Sequence, residues 1–176
     1  MKKGFCILLL LIPLLLFCGC SNDPKENNEN IGSLSAVGEK LTVKEYEKLL
    51  KDYWQEMNIC RQDIDDLKDK AEGSFSELQK LRSQLLEACG RVSEVWDKFA
   101  AIVPPDEYSE LQAKLVKGVE MEKRWLEYEK QAYCADTEEE ANEIYGKILQ
   151  EVKAMDTNDL FSGVYTEIHL KIQGIK

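Results

Sequence analysis

The residues that could do chemistry in this 176-residue chain are few, and most of them lack the partners that chemistry requires. There is one histidine, His169, near the C-terminus. A Ser-His-Asp arrangement with a second acid-base group and a histidine-rich metal site therefore cannot be assembled. The paired Glu-x-x-His motifs of di-iron bundles are absent, as are glycine-rich phosphate loops, Walker sequences and nucleophile elbows. Glu138-Glu139-Glu140 lacks the alternating ligand spacing and central glycine of a calcium loop, and it suits the positive end of a helix instead. Six aromatic residues, Tyr46, Tyr53, Trp54, Trp96, Trp125 and Tyr128, could line a cleft for a small ligand. Their spacing is also that of helix core. No catalytic residue, no metal ligand and no cofactor site is expected, and the chain is not expected to be an enzyme.

One cysteine does stand in a chemically meaningful context. Met1-Lys2-Lys3 is a charged start, and the uncharged run from Gly4 to Phe17, with seven leucines and Pro13, reads as a secretory apolar region. The run is shorter than the ~20 residues that a spanning helix needs, and no stop-transfer charges follow it. Phe17-Cys18-Gly19-Cys20-Ser21 then resembles the bacterial lipobox, with Phe17 where leucine is usual. Cys18 is a poorer acceptor, because bulky Phe17 would occupy the small-residue position beside the cut. The resemblance covers the first 21 residues. It implies cleavage before Cys20, a diacylglyceryl group on that thiol and a stable anchor in the lipid bilayer, since buried acyl chains contribute ~0.8 kcal/mol per CH₂. The expected location is the extracytoplasmic face of the cell membrane. After maturation Cys60, Cys89 and Cys134 remain, an odd number for an exported chain, and buried free thiols are expected.

Charge narrows the partners. Lys and Arg total 23 against 33 Asp and Glu, and Lys2 and Lys3 are the only charges before Cys20, so the mature chain carries 21 minus 33, or −12. Such acidity argues against a nucleic-acid partner and against electrostatic adsorption of the folded part onto anionic lipid. The expected partners are the bilayer, through acylated Cys20, and a protein of unknown identity.

The elements that would position these residues are helices. Residues 20–41 are polar with isolated Ile31, Leu34 and Val37, a composition that suits a flexible tether with a root-mean-square reach of ~25 Å. Thr42 with Glu45 forms a capping box that opens a helix whose apolar seam runs Val43, Tyr46, Leu50, Tyr53, Met57, Cys60, Ile64, Leu67, Ala71. Leu49, Trp54 and Ile59 widen that seam. Gly73 interrupts, and Ser74 with Glu77 opens a second helix with Leu78, Leu81, Leu85, Ala88, Val92, Val95, Phe99 and Ile102. The short connection predicts antiparallel neighbours. Pro104-Pro105 ends the second helix, and Pro105 suits the first turn of a third, which carries Tyr108, Leu111, Leu115, Gly118, Met121, Trp125, Tyr128, Ala132 and Ala135. A doubled three-residue step at Gly118 should disturb that seam. Thr137 with Glu140 opens a fourth helix containing Ala141, Ile144, Ile148, Val152 and Met155. After Asp156-Thr157-Asn158-Asp159, helical spacing returns at Phe161, Val164, Tyr165, Ile168, Ile172 and Ile175.

These readings give an all-α chain: an antiparallel up-down four-helix bundle with a short fifth C-terminal helix. Its organisation is a signal segment at 1–19, the lipidated cysteine and tether at 20–41, and a helical bundle domain at 42–176. The lipobox, the acidic tether, the amphipathic helices and Val103-Pro104-Pro105-Asp106-Glu107-Tyr108 before Leu111 together resemble uncharacterised small helical-bundle lipoproteins of Gram-positive bacteria. Such proteins often have a histidine near the position of Gln112, so this chain departs from them there. The resemblance implies anchoring and a helical fold, and it carries no activity. The function expected is that of a non-enzymatic envelope lipoprotein whose bundle serves as a protein-interaction or structural module. The alternative is a small-ligand carrier using the aromatic cleft.

Overall fold

Thr42 starts the first helix as its sequence context demands. Its hydroxyl accepts from the Glu45 N–H, and the Glu45 carboxylate accepts in return from the Thr42 N–H at 2.8 Å. The computed structural model describes residues 40–175. The signal segment, Cys20 and the tether up to Glu39 lie outside them. Helix α1 spans Val43–Lys70, α2 Phe75–Ala100, α3 Ser109–Cys134, α4 Glu138–Lys153 and α5 Phe161–Ile172. The chain is an all-α helical bundle, and from Lys40 onward it forms one compact unit.

The turns follow the punctuation. Between α1 and α2 the backbone enters the left-handed region at Glu72 and Gly73, with φ of 48° and 73°. Ser74 then caps α2 through its hydroxyl, but Glu77 does not reach back, because its carboxylate is held by Lys80 at 2.6 Å. The third helix differs from expectation at its start. Pro105 precedes a 3₁₀ turn, Asp106–Tyr108, and the α-helix begins only at Ser109. The tighter turn tucks Tyr108 inward, where its ring lies 5.5 Å from that of Tyr46.

Cross-helix pairs fix the arrangement. Asp63 meets Arg91 at 2.9 Å and Glu56 meets Lys98 at 2.5 Å, so numbering rises along α1 as it falls along α2. Gln79 bonds the Tyr133 carbonyl, while Lys123 pairs with Asp97, which gives the same relation between α2 and α3. Helices α4 and α5 follow one another along α3. Ala141 and Ile144 pack with Ala132 and Ala135, Glu151 meets Arg124, Phe161 lies against Gly118, and Glu167 faces Lys114. Together they make one helical layer broken at 154–160. The break is a local turn in which the Asn158 N–H bonds the Asp156 carboxylate and the Asp159 N–H bonds the Asp156 carbonyl, an alternative that Asp and Asn offer the backbone.

Helix α3 is the hub, in contact with α2, α4 and α5. It is accordingly buried along two stripes. One is the expected run with Leu111, Leu115, Gly118, Trp125 and Ala132; the other, at seven-residue steps, is Gln112, Val119, Leu126 and Tyr133. Ile59, placed on the core face of α1 by its spacing, is 66 % exposed, so the seam of α1 is narrower on that side than its composition implies, and Ile175, placed on the stripe of α5, is exposed because that helix ends at Ile172.

The main core holds Leu50, Met57, Ile64, Leu85, Val92, Phe99, Leu115 and Phe161, among others. Burial of these side chains is the chief stabilising contribution. Leu85 has no solvent exposure, so Leu85→Ala is expected to cost about 2 to 5 kcal/mol through lost transfer energy and the cavity left behind. Lys80, exposed and paired only with Glu77, should cost well under ~1 kcal/mol as Lys80→Ala. Denaturant melts of the two variants check this, and equal small effects would contradict the packing described.

Candidate functional site

Polar groups inside the bundle are scarce, and two of them, the Trp96 indole N–H and the Tyr133 hydroxyl, lack a hydrogen-bond partner. Gln112 is the one buried polar or charged residue among the described residues. Its carbonyl accepts from the Tyr46 hydroxyl at 2.8 Å, and its amide donates to the Phe99 carbonyl at 2.9 Å. One side chain on α3 thereby ties α1 to the last turn of α2. Burial raises the Tyr46 pKa, so its hydroxyl stays a donor. Gln112 carries no charge for acid-base work, and both ends of its amide are occupied.

A second feature is a pair of half-buried ion pairs one heptad apart. Arg61 meets Glu122 at 3.1 Å and Lys68 meets Glu129 at 3.2 Å, linking α1 to α3. Each cation also lies over a ring, Arg61 over Trp96 and Lys68 over Tyr133, both at 5.9 Å. Burial raises the Glu122 pKa, against the pull of Arg61. The Trp96 indole N–H is buried without a hydrogen-bond partner. The Tyr133 hydroxyl, which neighbours Tyr145, likewise lacks a well-formed bond. The seam joins helices and places no nucleophile beside a base.

Glu151 forms a third cluster. Its Oε2 accepts from Arg124 Nη2 at 2.8 Å and from the Trp125 indole N–H at 3.0 Å, and its Oε1 accepts from the Tyr128 hydroxyl at 3.2 Å. Burial alone would push this carboxyl up, and the hydrogen bonds from Arg124 and Trp125, with the Arg124 charge, bring it below the usual range. This cluster fastens α4 to α3.

The sequence-derived candidates fall as follows. Cys20 lies outside the described residues. Cys60 and Cys89 are buried and free, whereas Cys134 is free but exposed at the end of α3. Burial pushes the Cys89 thiol up to about 12 and raises Cys60 as well, which makes both poor nucleophiles. His169 meets Gln173 at 2.8 Å, not an acid or a thiol. Glu140 accepts from the Asp136 N–H and sits in the first turn of α4, so this acidic run serves the helix start. Among the described residues no group of three His, Cys, Asp or Glu side chains could hold a metal ion, and no helix is long and apolar enough to cross a membrane.

The six aromatic candidates split into two groups. Trp54 stacks on Tyr165 at 4.9 Å, Trp96 lies edge to face with Phe161 at 4.6 Å, and Tyr53 lies edge to face with Phe99 at 5.7 Å. Tyr46 belongs with these through Tyr108, while Trp125 and Tyr128 serve Glu151. The rings fill one another's space. A shallow space of about 430 Å³ lies elsewhere, between α5 and the start of α3 with the 3₁₀ turn before it, lined by residues that include Asp106, Glu110, Leu111, Lys114, Glu167 and Lys171. Sequence reading noted Gln112 only as a departure from a resemblance. Its position seven residues before Val119, on the second stripe of α3, was the signal that could have marked it as buried.

The Gln112 linkage is expected to behave as a coupled pair. Tyr46→Phe and Gln112→Leu should each cost about 1 to 3 kcal/mol, because each strands a buried polar group. The double variant should cost less than the sum by ~0.5 to 3 kcal/mol, as measured by urea melts. Strict additivity would show that the two side chains do not bond.

Comparison with known proteins adds one assignment. A family profile described as "Domain of unknown function (DUF7018)" matches residues 40–160, which takes in α1 to α4 and stops before α5. No curated protein and no solved structure matches the chain. With well over half of its length matched, the chain belongs to the DUF7018 family.

Proposed function

We propose that the protein is a membrane-anchored lipoprotein of the extracytoplasmic face, held by acyl chains on Cys20, with an antiparallel up-down bundle serving as a non-enzymatic protein-interaction or structural module. The observation that carries this reading is the run Phe17-Cys18-Gly19-Cys20 behind a charged start and a leucine-rich apolar segment. The bundle's chemistry supports it. Its half-buried charges are spent on joining helices, its buried thiols are poor nucleophiles, and Gln112 has both amide groups engaged. A rigid body of this kind suits display of a surface. The six aromatic residues considered for a ligand cleft pack against neighbouring rings or bond Glu151, so no observation favours the carrier alternative.

The test is the mass of the mature N-terminus from a host with the lipoprotein-processing enzymes. The expected species begins at Cys20 and carries a diacylglyceryl thioether, and Cys20→Ala should leave an uncut, lipid-free precursor. Recovery of lipid-free protein beginning at another residue would overturn the reading.

A further inference from the structure

We propose that the end of the bundle at which the chain enters α1 rests on the lipid bilayer, with Val103, Leu170 and Ile175 against it. This rests on the reading that Cys20 is lipidated. Three contacts bring the relevant segments to one end. Lys40 pairs with Asp106 at 2.5 Å, Tyr46 lies against Tyr108, and Lys171 sits 4.6 Å over the Tyr108 ring while donating to the Glu107 carbonyl. The start of α1, the connection from α2 to α3 and the end of α5 therefore share that end.

Two independent properties set it apart. Four large apolar side chains are exposed among the described residues, and Val103, Leu170 and Ile175 all belong to this end, while Ile59 lies midway along α1. Charge is also divided unequally. Residues 40–52, 98–114 and 165–175, which make up the near end, hold seven acidic and seven basic side chains. Residues 63–80 and 130–143, at the far end, hold eleven acidic against four basic. An anionic bilayer repels the far end and leaves the near end electrostatically free, so that apolar contact can decide the orientation.

The anchor supplies the proximity that three side chains could not achieve alone. Between Cys20 and Lys40 the sequence has 19 residues, and the polar coil expected from their composition would reach about 25 Å. The 28 residues of α1 extend the far end by a further ~40 Å at 1.5 Å per residue. A tether of that length keeps the near end at high local concentration at the bilayer surface. The bundle then stands on the membrane and presents its acidic end, with the α1–α2 and α3–α4 turns, to whatever lies beyond.

The test uses the lipidated full chain in vesicles of phosphatidylethanolamine and phosphatidylglycerol. A Val103→Cys variant is labelled with a bulky water-soluble maleimide, and native Cys134, exposed at the far end, is the internal reference. The reaction rate at position 103 relative to Cys134 should fall about fivefold or more against a second variant that also carries Leu170→Glu and Ile175→Glu, whose charges cannot enter lipid. Flotation and N-terminal mass are read on the same samples. Chain that floats with acylated Cys20 but shows the same ratio in both variants overturns the orientation and leaves the anchor intact. Chain that neither floats nor carries lipid overturns the anchor, and the orientation with it.

Discussion

Phe161 meets α3 at Gly118 so closely that a Cβ on that glycine would lie 2.9 Å from the Phe161 backbone. That approach sets where α5 can sit. With Phe161 seated, its ring reaches Trp96 at 4.6 Å and Phe99 at 5.0 Å edge to face, and Trp54 closes over it from α1. Aromatic pairs of this geometry add about 0.5 to 1.5 kcal/mol each beyond the area they bury. One missing methyl on α3 thus lets a short helix join three longer ones. A second glycine makes the preceding turn feasible, since a Cβ on Gly163 would fall 2.4 Å from the Thr157 carbonyl oxygen.

The same geometry explains why α3 carries two buried stripes. A helix flanked by α2 on one side and by the α4–α5 layer on another must bury more than one face. Gln112 is tolerated on the second stripe because Tyr46 and the Phe99 carbonyl satisfy it, and Glu122 and Glu129 border the first stripe because Arg61 and Lys68 cross from α1 to meet them. Polar groups in this bundle therefore specify which helices meet and in what register, while apolar burial supplies most of the stability.

Much of this was legible in the residues. Capping at Thr42, Ser74 and Thr137, the stop at Pro104, and the three-four spacing of α1 and α2 all report local backbone chemistry, which a single sequence displays directly. The second stripe of α3 was not legible, because periodicity shows that a face is apolar but not how many neighbours will cover the helix. Ile59 misled for the same reason: it lies beside the seam, and no neighbouring element reaches that side. The 3₁₀ turn after Pro105 was missed because proline suits the first turn of either helix type. Gly118 was legible as a disturbance of the seam, yet its purpose, to admit Phe161 from 43 positions further along the chain, is a tertiary fact. The polar clusters at Gln112 and Glu151 were equally tertiary, since their partners come from other helices.

The account stands most directly on the contact between Gly118 and Phe161, and a matched pair of glycine substitutions measures it. Gly90 lies within α2 with nothing inside 4 Å of an added Cβ. Gly90→Ala should therefore stabilise the protein by up to ~1 kcal/mol through helix propensity alone. Gly118→Ala gains the same propensity but must push α5 away from α3, so urea melts are predicted to show it destabilised by about 1 to 3 kcal/mol, as overpacked cores are. Equal stabilisation by both substitutions would mean that α5 does not seat on Gly118, and would contradict the bundle described.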